Sequence, residues 1–378
     1  MIYLNNAATT YPKPQCVLDA HAAALRAVPS AQYRGALGVY GPDVFEACRE
    51  SLGRLLHIAH TERIYFSSGA TDSFNKLLLG LPPVKGKIIT TEAEHNSILR
   101  PLYNHPVYGK QLLVLPCEKD GRVDMKQLLE IRKGEAEVLF LNHCSNVTGT
   151  VQDMRTICGI AKEKGLLVFA DVSQSAGCLP VDADGWGLDG LVFTGHKSLY
   201  GVQGTGGYYV REGVGFMPVF FGGTGRDSSR LTYEDGDYEY EPGTQNAPGI
   251  AALYAGVEMI LKEGVENIAV RERVLLKRLF EGLSPILGVR LFGAADESHG
   301  PVMSFTMEGI APSDIAYILQ NGYGILVRTG LHCAPLIHRA LGTKPDGTVR
   351  VSAGLYTTEA EIDALIGAVK EISASLKI

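Results

Sequence analysis

Two residues near the middle of the chain carry chemistry that the rest must position. Lys197 lies in GLVFTGHKSLYGVQGTGG, residues 190–207, just after the apolar run Leu191-Val192-Phe193, which reads as the end of a buried strand. An ammonium group is seldom kept at such a place. Desolvation there favours the neutral amine and frees it as a nucleophile, which is what a Schiff base with an aldehyde cofactor requires. Asp171 ends the apolar run Leu166-Leu167-Val168-Phe169-Ala170. A carboxylate at the end of a buried strand is costly unless it meets a cation, and a protonated pyridine nitrogen would be one. Lys197 follows Asp171 by 26 residues, about one αβ step, so both can line one site at the same edge of a parallel sheet.

Other candidates fall at equivalent places. Arg63–Phe66 reads as a strand, Ser67-Ser68-Gly69-Ala70-Thr71-Asp72 as a small-residue turn, and Phe74–Leu81 as a helix. That arrangement offers free N–H groups to a phosphate, with Thr71 able to cap the helix and bind an anion. No G-x-G-x-x-G or G-x-x-x-x-G-K-[ST] pattern occurs there, so dinucleotide and nucleoside triphosphate binding gain no support. Lys87–Thr91 is a second strand, followed by Glu92-Ala93-Glu94-His95-Asn96-Ser97. His95 could stack on an aromatic cofactor and exchange protons. Strands are also expected at 112–115, at 137–142 before Asn146, and at 166–170, with helices at 124–132 and 153–164. Taken singly, each position also fits an ordinary role: a loop lysine, a capping aspartate, threonine or histidine. Their convergence gives them weight, because Thr71, His95, Asn146, Asp171 and Lys197 all fall at the carboxyl ends of strands in an α/β domain with a mainly parallel sheet.

The remaining elements are read more coarsely. Helices are expected over 15–28, 43–58 and 250–282, irregular structure or a hairpin over 213–248, and strands near 301–307 and 324–328. A last helix carries Ile362, Leu365, Ile366, Val369 and Ile372. Tyr33-Arg34-Gly35 sits in a loop. The run Asn5-Asn6-Ala7-Ala8-Thr9-Thr10 is small enough to lie beside a ligand, or is simply an extended arm. A domain boundary is expected near Pro248-Gly249.

Composition bounds the function. The 378 residues carry a net charge of −6 and 46% hydrophobic residues, an ordinary globular balance with no electrostatic footprint for nucleic acid or an anionic membrane. The opening MIYLNNAATTYPKP has no basic region followed by an apolar core, so no signal peptide is expected. No segment has the apolar length of a membrane span. The cysteines at 16, 48, 117, 144, 158, 178 and 333 are odd in number and scattered. That argues against a disulfide framework or a zinc site, and for the reduced cytoplasm.

With these residues in view, the chain resembles the fold type I pyridoxal-phosphate enzymes, within them the class V aminotransferases, and more narrowly the cysteine desulfurases. FSSGATDSFN, EAEHNS, SNVTGT, ADVSQS, FTGHKSLYG, EPGTQN and RTGLHCAP occur in that order. The resemblance implies an α/β large domain, residues 13–247, with a mainly parallel sheet of seven-stranded type between helices. It implies a smaller α+β domain, residues 1–12 and 248–378, carrying the catalytic cysteine loop. By position, Lys197 resembles the lysine that holds pyridoxal 5'-phosphate, and Asp171 the acid that keeps its pyridine nitrogen protonated. Gln174 resembles the partner of the phenolic oxygen, and His95 the stacked catalytic histidine. Ala70 (through its N–H), Thr71, Thr194 and His196 resemble the phosphate cradle. Thr244 resembles a residue that reaches the neighbouring subunit's phosphate, which implies a homodimer.

Cys333 resembles the cysteine that takes sulfur from substrate as a persulfide, for transfer to an acceptor protein or thiol. Arg328 or His332 could stabilise its thiolate. Arg350 resembles the grip on the substrate carboxylate, a role suited to a bidentate fork. Asn146 is its helper, Arg328 a second cation, and Asn6 a further substrate contact. Leu331 stands where related motifs have a second histidine, Ala70 where a threonine is frequent, and Tyr33 where a histidine often precedes Arg-Gly. The 17 residues from Cys333 to Arg350 are a slightly long spacing. The activity implied is L-cysteine desulfuration. The same scaffold also admits a selenocysteine lyase, a cysteine sulfinate desulfinase, a class V aminotransferase or a catalytically silent binding protein.

Overall fold

The computed structural model describes residues 1–27, 43–223, 229–232, 240–293 and 298–376. Tyr33-Arg34-Gly35 lies outside the described residues. The chain opens with a two-residue strand, β1 (Ile2–Tyr3), then α1 (Gln15–Arg26) and α2 (Val44–Leu56). An α/β alternation follows: β2 (Ile64–Ser67), α3 (Ala70–Gly80), β3 (Lys87–Thr91), α4 (Asn96–Asn104), α5 (Tyr108–Gln111) and β4 (Leu112–Leu115). It continues through α6 (Met125–Glu130), β5 (Ala136–Asn142), α7 (Met154–Glu163), β6 (Leu167–Asp171), β7 (Gly190–Thr194) and β8 (Gly206–Val210).

These strands form one seven-stranded sheet in the order β2-β8-β7-β6-β5-β3-β4. β3 to β7 pair in parallel, whereas β8 runs antiparallel to both β7 and β2. The sheet is therefore mainly parallel, and its one reversal is the loop that carries Lys197. The strands are apolar on both faces, as burial by helices on each side requires. Leu139, Leu141, Val168, Ala170, Leu191 and Phe193 join the cluster under α1, α2, α7 and α8. The alternate residues Val138, Phe140, Phe169 and Val192 join Phe74, Leu77, Ile98 and Leu102 of α3 and α4 on the other face, as a period of two demands.

The second half begins with α8 (Ala247–Glu263) and α9 (Val265–Leu283). The single helical stretch expected over 250–282 is thus two helices, broken at Gly264, whose φ of 85° favours glycine. Next come β9 (Val289–Phe292), β10 (Val302–Met307), α10 (Pro312–Tyr323), β11 (Ile325–Leu326), β12 (Arg328–Gly330), α11 (Ile337–Ala340), β13 (Thr348–Ser352) and α12 (Glu359–Ser375). A four-stranded antiparallel sheet, β12-β13-β10-β9, packs its Met303, Phe305, Val349 and Val351 against α9, α10 and α12. Leu4 of the N-terminal arm belongs to this second core. The described residues of 213–246 form neither helix nor strand, so of the two forms expected there they take the irregular one and not the hairpin.

The helix after β2 starts at Ala70, four residues before the expected Phe74, and Gly69 rather than Thr71 is its N-cap. No described helix is long and apolar enough to cross a membrane.

Candidate active site

The carboxyl ends of β3, β5, β6 and β7 open on a cavity of about 410 Å³. At one end the turn from β2 into α3 presents the first-turn N–H groups of Ala70 and Thr71, which have no carbonyl of an earlier turn to reach. The helix dipole adds partial positive charge there. Glycine is required at this turn, since Gly69 has φ 144° and a Cβ on Gly206 would lie 2.6 Å from the Gly69 Cα. Thr194 and His196 also line the cavity. The Nδ1 of His196 is buried without a partner. Burial, then the charges of Lys197 and Lys13, push this imidazole down to about 4, so it is neutral.

The floor is Asp171. Its Oδ1 accepts from the Ser173 N–H at 2.8 Å, and burial raises its pKa against the pull of Ser173 and Lys197. The adjoining Ser173 hydroxyl is buried with no partner. Lys197 faces this floor from the β7–β8 loop. Burial pushes the amine down to about 8, with Asp171 opposing and Arg350 and Arg328 assisting. About a tenth of the amine is therefore neutral and nucleophilic at pH 7, far more than at an ordinary lysine. His95 caps α4, its Nδ1 accepting from the Ser97 N–H at 2.9 Å, which assigns the ring proton to Nε2. Burial, then the charges of Lys197, Arg328, Arg350 and Arg100, push it down to about 3. His95 thus caps its helix and lines the cavity at once. Gln174 also lines it, and donates through Nε2 to the Ala7 carbonyl at 3.0 Å.

Glu94 lies behind the wall, fully buried. Its Oε1 accepts from the Thr91 hydroxyl (2.7 Å), the Asn142 N–H (2.9 Å) and Asn142 Nδ2 (3.1 Å), while Oε2 has no partner. Burial raises this carboxyl to about 8 despite those bonds, so it is an uncharged acid at neutral pH.

The mouth belongs to the second sheet. β12 and β13 pair antiparallel with Arg328 directly opposite Arg350. Like charges placed so repel, and neither has a carboxylate partner among the described residues. Arg350 is wholly buried, and burial followed by Arg328 holds its guanidinium below the ordinary value. It donates through Nη1 to the Asn146 carbonyl (3.0 Å) and through Nη2 to Asn5 Oδ1 (3.1 Å), with Nε unpartnered. An anion between the two arginines would relieve the repulsion and satisfy the free donor.

Arg328 Nη2 donates to Cys333 Sγ at 3.3 Å. His332 and Cys333 take φ of 50° and 58°, a left-handed pair of non-glycine residues that costs on the order of 1–3 kcal/mol each. Three bonds hold it: Asn146 Nδ2 to the His332 carbonyl (2.7 Å), the Asn96 N–H to the Cys333 carbonyl (2.6 Å), and His332 Nε2 with Thr348 Oγ1 (2.9 Å). The His332 ring is therefore turned toward Thr348, and burial pushes it down to about 2. It carries no charge toward Cys333, and of the two supports expected for the thiolate only Arg328 is in place. Cys144, the cysteine that lines the cavity itself, is a buried thiol pushed up to about 12.

Ala70, Thr71, His95, Asn146, Asp171, Gln174, Thr194, His196, Lys197, Arg328 and Arg350 are thus brought to one cavity, with Cys333 at its rim through Arg328. Two candidates stand elsewhere. Asn6 does not line the cavity: its Nδ2 donates to the Ser352 carbonyl at 3.1 Å, and its neighbour Asn5 makes the contact with Arg350. Thr244 lies exposed in an adjoining groove beside Phe220 and Phe221. Asn5, Ser173, Asn142 and Glu94 were not legible as site residues. The only signal for Asn5 was the small-residue run that contains it.

An anion cradle, a buried acid facing an amine, and a paired-arginine mouth on a mainly parallel sheet define an enzyme of amine and carboxylate chemistry. The family model described as aminotransferase class V matches residues 2–365, and the chain belongs to that family, whose members are pyridoxal-phosphate enzymes. Cysteine desulfurases are among the proteins this chain is similar to. A probable cysteine desulfurase of Xylella fastidiosa (strain 9a5c) is 33% identical, over 98% of this chain and 91% of that protein. A cysteine desulfurase of Pectobacterium atrosepticum is 31% identical, over 98% and 93%. The apo structure of a cysteine desulfurase from Thermococcus onnurineus NA1 superposes with a TM-score of 0.87 at 30% identity, over 99% of this chain and 95% of that one.

Proposed function

We propose that this protein is a pyridoxal-phosphate-dependent L-cysteine desulfurase in which Cys333 receives the sulfur. The observation that carries the reading is the 3.3 Å contact from Arg328 Nη2 to Cys333 Sγ, at the mouth that Arg350 also lines. Cys333 alone among the seven cysteines is half-buried; five are buried and Cys16 is exposed.

The cavity residues suit the cofactor. Ala70, Thr71, Thr194 and the unpartnered His196 Nδ1 would take its phosphate, Asp171 its pyridine nitrogen and Gln174 its phenolic oxygen. The His95 ring would cover it, and Lys197 would hold it. Pyridoxal phosphate, when bound, supplies an electron sink for charge developing at the substrate α-carbon. The rest falls to this chain. Arg350 and Arg328 grip the substrate carboxylate, with Asn146 fixing both Arg350 and the Cys333 loop. Lys197 Nζ, close to neutral, accepts the α-proton and returns it. Cys333 Sγ bonds to the substrate sulfur as that sulfur leaves the β-carbon, which retains the electron pair and gains a proton. One cysteine and one thiol give one alanine and one persulfide, with no external oxidant or reductant.

The reading extends to a homodimer in a reducing compartment such as the cytoplasm, serving a sulfur-acceptor protein or thiol. Thr244 lies outside its own chain's cavity, beside Phe220 and Phe221, which are 51% and 73% exposed. A second copy covering that groove would bring Thr244 to the partner's phosphate. Seven unpaired cysteines support the compartment.

The test is alanine formation from L-cysteine, with selenocysteine in parallel. Wild type should act on cysteine, and Cys333→Ala should lose on the order of 10³-fold while sparing selenocysteine. Unchanged sulfur release by Cys333→Ala would remove the role given to Cys333. A wild type that ignores cysteine and consumes selenocysteine would move the substrate.

A further inference from the structure

The N-terminal arm, residues 2–13, takes part in none of these steps, yet it touches the strand of Arg350, Gln174 and the peptide of Lys197. β1 pairs in parallel with β11, the strand leading to Arg328. The Ala7 N–H donates to Ser352 Oγ at 2.9 Å, two residues beyond Arg350, and Asn5 Oδ1 accepts from Arg350 itself. The Ala7 carbonyl holds Gln174. The arm then reaches the peptide that carries Lys197. Four donors converge on the His196 carbonyl oxygen: the Thr10 N–H (3.1 Å), Thr9 Oγ1 (3.0 Å), Thr10 Oγ1 (3.2 Å) and Lys13 Nζ (2.8 Å). Thr10 Oγ1 shares its one proton between this oxygen and the Lys197 carbonyl at 3.0 Å, and accepts from Lys13 Nζ at 2.7 Å.

A carbonyl oxygen has two lone pairs, so four donors, one of them a cation, exceed what a loop needs to satisfy one acceptor. Lys13 is half-buried, and burial pushes its amine down to about 8. No carboxylate pairs with it among the described residues. A charge kept from water without an acid is unfavourable, so its place on this one carbonyl calls for a use. We propose that Lys13 is a positioning residue: through the His196 carbonyl it fixes the peptide from which Lys197 enters the cavity, and with Thr9 and Thr10 it ties that peptide to the strand of Arg350. The arm thereby sets the separation between the amine and the carboxylate grip, the two groups that a 2-amino acid must reach together.

This inference rests on the reading of Lys197 as the residue that holds the cofactor. The test compares two probes on apo-protein, pyridoxal 5'-phosphate and pyridoxamine 5'-phosphate. Both suit the same cradle, but only the aldehyde can react with the Lys197 amine. Affinities are read by absorbance and protein fluorescence. Lys13→Met should lose about tenfold in affinity for the aldehyde, the value of one charge-assisted hydrogen bond, and less than about threefold for the amine. Lys13→Arg should restore the aldehyde affinity. Thr10→Val, nearly isosteric, should show the same selective loss and decides the matter if Lys13→Met folds poorly. Equal losses for both probes, no loss, or failure of Lys13→Arg to rescue would overturn the inference. A wild type that forms no covalent link with the aldehyde would instead refute the reading of Lys197.

Discussion

Replacing Glu94 by glutamine tests the electrostatics behind the cavity wall. Glu94 is fully buried, its Oε1 takes three hydrogen bonds, and Oε2 has no partner. Glutamine keeps the first oxygen and sets an amide where the acid carries its proton, so the geometry is nearly preserved. The folded pKa near 8 lies above the ordinary 4.5, so the folded state holds this proton more tightly than the unfolded one. Its contribution to stability is fully present below about pH 4.5 and is lost as pH rises toward 8. A shift of one pKa unit is about 1.36 kcal/mol, which gives a penalty in the wild type of about 4 to 5 kcal/mol by pH 8. Glu94→Gln has no such proton to lose. Urea unfolding of apo-protein should find the two proteins alike at pH 4.5 and the variant increasingly more stable toward pH 8. Parallel stability curves for the two across that range, or a variant destabilised most at high pH, would mean that Glu94 is ionised in the folded protein and would refute the reasoning.

Two further outcomes follow from the site. Gly69→Ala forces a side chain into φ 144°, ψ −177°, a region essentially reserved for glycine, at a cost on the order of 1–3 kcal/mol; calorimetry should show a lowered Tm, and equilibrium titration weaker binding of pyridoxal 5'-phosphate. In apo-protein, the Lys197 amine, pushed down to about 8, should react with an amine-selective reagent half-maximally near pH 8. Peptide mapping against exposed lysines, which titrate near 10.4, checks it, and a midpoint shared with them would count against a buried, partly neutral amine.

The sheet edge was legible because strand ends are marked twice, by an apolar run and by the polar residue that stops it. Asp171, Lys197 and His95 were found that way, and Arg350 and Cys333 through their motifs. Register was not legible. Asn5 and Asn6 are chemically identical, and adjacent residues of an extended segment face opposite sides. Only the bridge from Asn5 to Ser352 decides which one reaches Arg350. His332 and Arg328 posed the same difficulty around Cys333, and the left-handed turn at 332–333 sends the imidazole away. Lys13, Thr9 and Thr10 left no pattern because their partner is a backbone carbonyl more than 180 residues away, and a carbonyl has no sequence identity. β8 was missed because it opens on Gly206-Gly207, residues that weaken a strand and are needed there for close packing against Gly69 and the Phe193 ring.

The pairing of β1 with β11 and of Asn5 with Ser352 also sets an order of events during synthesis. The arm leaves the ribosome more than 300 residues before its partners at 325 and 352 are made. The α/β half, whose strands lie between residues 64 and 210, can condense around its own sheet long before then. The arm must wait beside it, and contacts of such long sequence separation close late. A chain halted short of residue 352 would therefore hold the anion cradle, Asp171 and Lys197 while lacking the clamp that aligns them with Arg350. The active site is then complete only after β13 has been made and the arm has closed on it.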